Sequence, residues 1–399
     1  MTKGPLSSRM AALAIAFFGL SQVAAAGAAL VRLPMSIHYL GTEKFGLLLT
    51  IVAALPWLSL LLGGSRITTR NTLSALEHDE IIGAWRYLLS KSSLMALQLS
   101  LPLSALGVLG FWVLDHRLSP DLSQDVKSSV VLLVLYSSCT PIFGVLAGGS
   151  DALGKHNLYA GFGTTAALLS IPATWLGVEW SLPLVWFLIL AAATFWLPSF
   201  MIWLRYLPKL LSTKGNTCKP PTIAQTFTAA SQGLGILFSS GLDVIVVAAT
   251  LGLTVAGSYG ISTRLLGTLM IPAAALAPAQ FKHFAQLRSR QADLVEVKKA
   301  LRGILVRNSS LTLGVAVLVL AIYPETFRLM THGAYSTGFL LGGSLALATV
   351  FAAIFATFFA AAAGQIGLKV GRNLSILVGA LNLGCTVMFT KILGIYGPS

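Results

Sequence analysis

The chain has 399 residues, of which 55% are hydrophobic and only 10% are charged, and its mean hydropathy is +0.81. Soluble domains carry about 25% charged residues, so this composition excludes an ordinary soluble protein. The net charge of +14 lies mostly in segments between apolar runs, which argues against nucleic acid as a partner.

Apolar runs of about 20 residues, long enough to cross a hydrocarbon core of about 30 Å, recur along the whole chain. The first run continues into Arg32 and Pro34 without a small-residue cleavage site, so it is not a cleaved signal peptide. The pattern predicts an all-α polytopic membrane protein with short connections and eleven spans, at 10–31, 45–64, 93–114, 129–149, 158–177, 183–204, 228–250, 256–281, 303–322, 338–363 and 373–394.

The distribution of Lys and Arg predicts the orientation of these spans. With the N-terminus inside, 19 of the 27 basic residues fall in cytoplasmic segments, six fall outside, and two, Arg264 and Arg307, fall within spans. This bias follows the positive-inside rule. It predicts a multi-pass membrane protein with a cytoplasmic N-terminus.

Two cytoplasmic connections, 65–92 and 282–302, carry apolar residues at helical spacing with basic residues beside them. Ile81, Trp85 and Leu88 illustrate the spacing in the first connection. The pattern predicts helices that lie in the membrane interface. Residues 205–226, which are basic and contain two consecutive prolines, are predicted to link two lobes.

An internal repeat organises these elements. Leu40-Gly41 is followed five residues later by Gly46, and Leu251-Gly252 is followed five residues later by Gly257, each pair preceding an apolar helix. The repeat predicts two lobes of six helices related by an axis along the membrane normal. The predicted domains are an N-terminal lobe at 1–204, the linker at 205–226 and a C-terminal lobe at 227–399, in which the twelfth helix is missing.

Two charged residues stand out inside the spans. Asp243 is the only carboxylate of thirteen that falls within a predicted span, and Arg264 lies at a similar depth in the next span, about 10–12 Å below the outer surface. An unpaired charge at this depth costs several kcal/mol, so an ion pair between the two is expected. The pair either locks two helices together or lets Asp243 hold Arg264 towards a polar cavity.

The remaining polar positions give weaker signals. Arg32, before Pro34, either snorkels to the interface or lines the same cavity, whereas Arg307 is expected to snorkel. The three cysteines are scattered singly and no metal-ligand spacing accompanies His78. The sequence predicts no catalytic residues, no metal and no cofactor.

Residues 39–80, YLGTEKFGLLLTIVAALPWLSLLLGGSRITTRNTLSALEHDE, and 241–266, GLDVIVVAATLGLTVAGSYGISTRLL, resemble the starts of the two lobes of O-antigen and polysaccharide translocases of the Wzx type. The resemblance places the chain in the multidrug/oligosaccharidyl-lipid/polysaccharide flippase superfamily. It implies two six-helix lobes around a central cavity and outward movement of undecaprenyl-pyrophosphate-linked oligosaccharide for O-antigen, lipopolysaccharide or exopolysaccharide assembly.

The resemblance also implies partners: the lipid-linked oligosaccharide, membrane lipids and glycan-assembly proteins. A pyrophosphate that crosses oil needs cations in the cavity, and Arg264 and Arg32 could supply them. Two alternatives stay open. A drug/cation antiporter of the same superfamily needs embedded carboxylates, and spans one to six contain none. A membrane glycan polymerase, which is an enzyme, needs a long outer loop that the sequence lacks.

Overall fold

A computed structural model describes most of the chain. It covers residues 8–230 except 59, 75, 78–79, 116–119, 214–217 and 219; residues 242–270; residues 276, 280, 283–284 and 287–288; residues 291–365 except 336–338; and residues 373, 376–381, 384 and 388.

All regular structure in the described residues is helical. The helices are α1 (Ser8–Leu58), α2 (Leu60–Leu73), α3 (Ile81–Asp115), α4 (Pro120–Ala152), α5 (His156–Glu179), α6 (Leu184–Ser212), α7 (Ile223–Ala230), α8 (Leu242–Leu251), α9 (Leu253–Gly267), α10 (Leu294–Thr331) and α11 (Phe339–Gln365), with a 3-10 turn at Thr268–Met270. Among these residues, five helices are long and apolar enough to cross a membrane, or six if the bent α6 counts as one span. The predicted all-α polytopic fold is confirmed, while spans 228–250, 256–281 and 373–394 extend beyond the described residues.

The contacts between residues divide the chain into two compact units. One comprises Met1–Thr50 with Phe238–Ser399, and the other comprises Ile51–Leu237. Within the second unit, α6 continues to Ser212, so the first part of the predicted linker is helical. The proposed lobes at 1–204 and 227–399 and the linker at 205–226 stay a prediction.

The core of the 51–237 unit shows that the predicted interfacial helix at 65–92 is wrong. Ile81, Trp85 and Leu88 are all buried, and α3 runs from Ile81 directly into the third predicted span. The Trp85 Nε1 donates a hydrogen bond to the Val145 carbonyl at 3.0 Å, and its ring packs on Tyr206. The apolar stripe therefore faces neighbouring helices instead of lipid.

The second predicted interfacial segment also runs directly into a long helix, but its apolar residues are less buried, and Leu294 is 66% exposed. Helix α10 begins at Leu294 and continues without a break through the ninth predicted span. Asp293 caps it by accepting a hydrogen bond from the Glu296 amide at 2.6 Å. Val297 and Leu301 pack against a small buried cluster. Position-by-position apolar spacing does not distinguish a helix on a membrane surface from the buried start of a spanning helix.

The two repeat-related corners adopt the same backbone conformation. Gly41 has φ 74° and ψ 172°, and Gly252 has φ 94° and ψ 169°. A side chain is strained at these positive φ values, which explains glycine at both corners. Each corner joins an incoming helical segment to the next one: Gly41 breaks α1, and Gly252 separates α8 from α9. The sequence repeat thus has a matching structural repeat at these positions.

Candidate functional site: a pair of arginines beside the α8–α9 hairpin

Helices α8 and α9 form a tight antiparallel hairpin around Gly252. Asp243 lies in the first turn of α8, and Tyr259 lies on α9. The Tyr259 hydroxyl donates a hydrogen bond to Asp243 Oδ2 at 3.4 Å. Hydrogen bonding to a carboxylate stabilises its charged form. The Tyr259 hydroxyl therefore offsets part of the free-energy cost of burying the Asp243 charge.

The predicted ion pair between Asp243 and Arg264 is not found among the described residues. Tyr259 and Arg264 are five positions apart on α9, which turns their side chains about 140° away from each other around the helix. The face of α9 that reaches Asp243 carries Tyr259. The depth argument could not specify the rotation of the helix.

The charge that acts on Arg264 is that of another arginine, Arg32. Arg264 itself is half-buried. The Arg32 Nε is buried and has no hydrogen-bond partner in the described part of the chain. Two cations that repel each other, one with an unused buried donor, form a local excess of positive charge.

Arg32 occupies a position that differs from the sequence-based expectation. Pro34 was expected to bend or end the helix, yet α1 continues past it to the break at Gly41. Arg32 is half-buried between the buried residues Ala28 and Leu33. Its two predicted roles, snorkelling to the interface and lining a cavity, stay predictions. Arg307 is exposed on α10, which agrees with its expected outward orientation.

Helix α9 also carries and contacts buried hydroxyl groups, which the sequence analysis did not identify. The Tyr323 hydroxyl donates to Ser262 Oγ at 2.8 Å, and both residues are buried. Ser258 and Ser262, one turn apart on α9, are also fully buried. Their i, i+4 spacing in the sequence indicates a polar face of the helix. The sequence analysis considered charged residues only and did not use this spacing.

The two corners contact each other in this unit. The Tyr335 hydroxyl donates to the Thr42 carbonyl at 2.7 Å. A Cβ atom on Gly46 would overlap the Leu253 backbone, and one on Gly257 would crowd the Tyr335 ring. Gly46 and Gly257 are thus small because another chain segment approaches closely, and the Gly46 contact fixes the part of α1 that follows Gly41 against α9.

A second charged cluster, in the 51–237 unit, corrects the expectation that Asp243 is the only embedded carboxylate. Asp151 is 5% exposed and lies in the last turn of α4. Arg66 holds it with two hydrogen bonds, Nε to Oδ2 at 2.6 Å and Nη2 to Oδ1 at 3.1 Å. The Arg66 guanidinium also lies 4.2 Å from the centre of the Tyr159 ring. Asp151 escaped notice because it falls just beyond the predicted end of the fourth span.

No model of a known protein family matches the sequence. A search of curated proteins gives no significant match either. Several solved structures, however, are similar to this chain. A MATE protein in complex with MaL6 matches with a TM-score of 0.54 and 16% identity over 95% of this chain and 86% of that one.

Two conformations of a multidrug resistance MATE family transporter of the MOP superfamily also match. The inward-facing structure has a TM-score of 0.56 and 13% identity over 92% of this chain and 84% of that one. The outward-facing structure has a TM-score of 0.53 and 15% identity over 96% and 88%.

The chain has the MATE transporter fold. This finding agrees with the predicted two-lobe fold, while the superfamily named from the sequence stays a prediction. The finer resemblance to translocases of the Wzx type stays a prediction, because the similar structures are MATE proteins.

Proposed function

We propose that the chain is a membrane transporter that works by alternating access and binds an anionic group of its cargo with Arg32 and Arg264. One observation carries this proposal: the Arg32 Nε is buried without a hydrogen-bond partner in the described part of the chain, although the like charge of the half-buried Arg264 acts on the same region. A protein gains nothing in stability from such an arrangement. An anion between the guanidinium groups would satisfy the buried Arg32 Nε and neutralise the repulsion.

A pyrophosphate suits this pair chemically. It carries at least two negative charges and offers several acceptor oxygens, and guanidinium groups bind phosphate oxygens with two parallel hydrogen bonds. The proposed cargo is an undecaprenyl-pyrophosphate-linked oligosaccharide, moved from the cytoplasmic to the outer leaflet of the bacterial inner membrane. The proposed role is in O-antigen, lipopolysaccharide or exopolysaccharide assembly, with glycan-assembly proteins as partners.

A drug/cation antiporter is the second candidate, and the comparisons favour it over the lipid-linked sugar. Two of the similar structures are of a multidrug resistance transporter. The buried Asp151 in α4 also removes the objection that the first six spans contain no embedded carboxylate. Asp243 and Asp151 are the groups that could bind a coupling cation in this case. A glycan polymerase has no support from these structures.

A paired transport assay separates the two cargo classes. The full chain is reconstituted in liposomes, and two activities are measured: translocation of a fluorescent undecaprenyl-pyrophosphate sugar, and uptake of a cationic dye driven by an ion gradient. Under the proposal, Arg264→Gln and Arg32→Gln each lower lipid translocation at least tenfold, while Arg264→Lys keeps part of it because a point charge remains. The exposed Arg307→Gln serves as the matched control and leaves it unchanged.

Dye uptake reports the second candidate. Three results together would assign the chain to drug export. The wild type takes up the dye but does not translocate the lipid, Asp243→Asn abolishes the uptake, and Arg264→Gln retains it. Normal lipid translocation by both arginine variants would remove Arg32 and Arg264 from the cargo site.

A further inference from the structure

The two chain segments that follow the corner glycines contact each other through equivalent positions of the repeat. Counted from the corner of each half, Leu49 on α1 corresponds to Gly260 on α9. These two positions touch, because a Cβ atom on Gly260 would lie 3.4 Å from the Leu49 Cβ. In a two-fold arrangement, a contact between equivalent positions lies on the axis. The contact therefore joins the first half of the repeat to the second half at their common axis.

The rest of this contact departs from two-fold symmetry at one residue. On one side of the axis, a Cβ atom on Gly46 would overlap the Leu253 backbone. The equivalent contact on the other side would pair Gly257 with Thr42, since these residues correspond to Gly46 and Leu253. Tyr335 occupies that place instead: its ring lies against Gly257, and its hydroxyl donates to the Thr42 carbonyl at 2.7 Å. A residue of the second half thus holds the first half by a single hydrogen bond.

The turn after α10 fixes the position of Tyr335. Helix α10 ends at Thr331, and the next two residues, His332 and Gly333, have φ 48° and 76°. The Ala334 amide then donates to the Thr331 carbonyl at 2.8 Å. A positive φ is uncommon for a residue other than glycine, and such conformations persist where the surrounding structure determines them. Tyr335 leaves this turn and is only 6% exposed.

The contact lies at the predicted outer side of the membrane. The charge distribution places both corners and the connection between α10 and α11 outside. In a transporter that works by alternating access, cargo leaves outward only after the outer ends of the two halves separate. The faces of α1 and α9 that meet at Leu49 and Gly260 would then line the opening.

We propose that Tyr335 is a latch that holds the outer ends of the two halves closed. Release of its hydroxyl from the Thr42 carbonyl lets α9 move away from α1 and opens the contact to the outer side. The proposal rests on the proposed alternating-access transport, but it does not depend on which cargo is carried.

Labelling of a buried thiol from outside measures how often this contact opens. In a chain without native cysteines, Leu49→Cys places the thiol on the contact face, where Leu49 is 2% exposed. A membrane-impermeant thiol reagent should label this thiol slowly in intact cells. Tyr335→Phe keeps the ring but removes the hydroxyl. We expect it to raise the labelling rate about fivefold, the effect of one hydrogen bond on the equilibrium between closed and open states.

A second tyrosine provides the matched control. The Tyr323 hydroxyl donates to Ser262 Oγ at 2.8 Å, and both residues belong to the second half. Tyr323→Phe therefore removes a buried hydroxyl without touching the contact between the halves. It should leave the labelling rate of the Leu49→Cys chain unchanged.

A reversible crosslink tests whether the contact must open during transport. The 3.4 Å between the two Cβ positions is close to the separation of about 3.5–4.5 Å found in disulfides. The double variant Leu49→Cys, Gly260→Cys should therefore form a disulfide on oxidation. Transport of the cargo found in the paired assay should then fall at least tenfold and return with a reducing agent. Leu49→Cys alone, treated in the same way, should be unaffected.

Three results would overturn the latch. The first is an equal labelling rate with and without Tyr335→Phe. The second is an equally large rise in Tyr323→Phe, which would mean general loosening of the helices. The third is failure of the double variant to crosslink, or full transport by the crosslinked protein. Because labelling needs no cargo, a failure to transport either cargo would refute the proposed function and not the latch.

Discussion

The hydroxyl of Tyr259 donates a hydrogen bond to the carboxylate of Asp243 across the α8–α9 hairpin, with 3.4 Å between the two oxygens. The two residues are sixteen positions apart in sequence and are brought together by the turn at Gly252. Asp243 therefore has a neutral partner on the neighbouring helix, which leaves Arg264 available for another charge. This separation underlies the proposal that Arg264 meets cargo.

A double-mutant cycle should show that Asp243 is coupled to Tyr259. We expect Tyr259→Phe to lower the free energy of unfolding by about 1 kcal/mol, since the hydrogen bond is long. The loss should be smaller when Asp243→Asn is already present, because a neutral amide oxygen accepts a weaker hydrogen bond than a carboxylate does. The parallel cycle of Asp243→Asn with Arg264→Gln should be additive, because the two side chains are not in contact. Strong coupling in the second cycle would restore the ion pair that the sequence predicted.

Neutralising one arginine of the pair should stabilise the protein while impairing cargo binding. Arg264→Gln removes the repulsion with Arg32, and we expect the free energy of unfolding without cargo to rise by about 1–2 kcal/mol, the size of a like-charge interaction near a protein surface. The rise should fall with added salt. Arg307→Gln, at an exposed position, should change stability by less than about 0.5 kcal/mol. A marked destabilisation by Arg264→Gln would mean that Arg264 has a structural partner.

The buried Arg66–Asp151 pair should be much more sensitive to mutation than an exposed pair. Asp151→Asn leaves the Arg66 charge without its partner in the interior, and we expect a loss of about 3–5 kcal/mol. Arg328→Gln breaks an exposed pair with Glu325, 3.7 Å apart, and should cost at most about 1 kcal/mol. Both variants can be compared by thermal or denaturant unfolding in the same detergent. Similar losses for the two would show that Asp151 is solvated.

The close approach of α1 and α9 should make Gly46 intolerant of a side chain. A Cβ at Gly46 would overlap the Leu253 carbonyl, so Gly46→Ala must displace a backbone and should cost about 1–3 kcal/mol. Gly27, on the same helix, has open space around it. Gly27→Ala should therefore be neutral or slightly stabilising, as expected for alanine within a helix. Protein level in the membrane and melting temperature would report both effects.

Cysteine labelling checks the predicted orientation. In a chain without native cysteines, Lys155→Cys should resist a membrane-impermeant thiol reagent in intact cells, whereas Arg328→Cys should react. Both positions are exposed, so access depends on the side of the membrane. Cys218 must be replaced first, although burial raises the pKa of its thiol and slows its reaction. The opposite labelling pattern would reverse the predicted topology.

The sequence by itself determined the class of the molecule. Spans can be recognised locally, because a bilayer requires about 20 consecutive apolar residues in each helix. The corner glycines were also readable, since Gly41 and Gly252 occupy positions where only glycine adopts the backbone conformation without strain. The same local logic identified Arg32, Asp243 and Arg264 as unusual charges.

Only the tertiary structure decided which of these residues meet. Side-chain partners depend on the rotation of each helix and on which helices are neighbours, and neither property is encoded in hydropathy or spacing. The rotation of α9 turned Tyr259 towards Asp243, and the close approach of Gly46 to Leu253 joined α1 to α9. Packing of α2 against α4 buried Asp151, which hydropathy alone had left at the edge of a span.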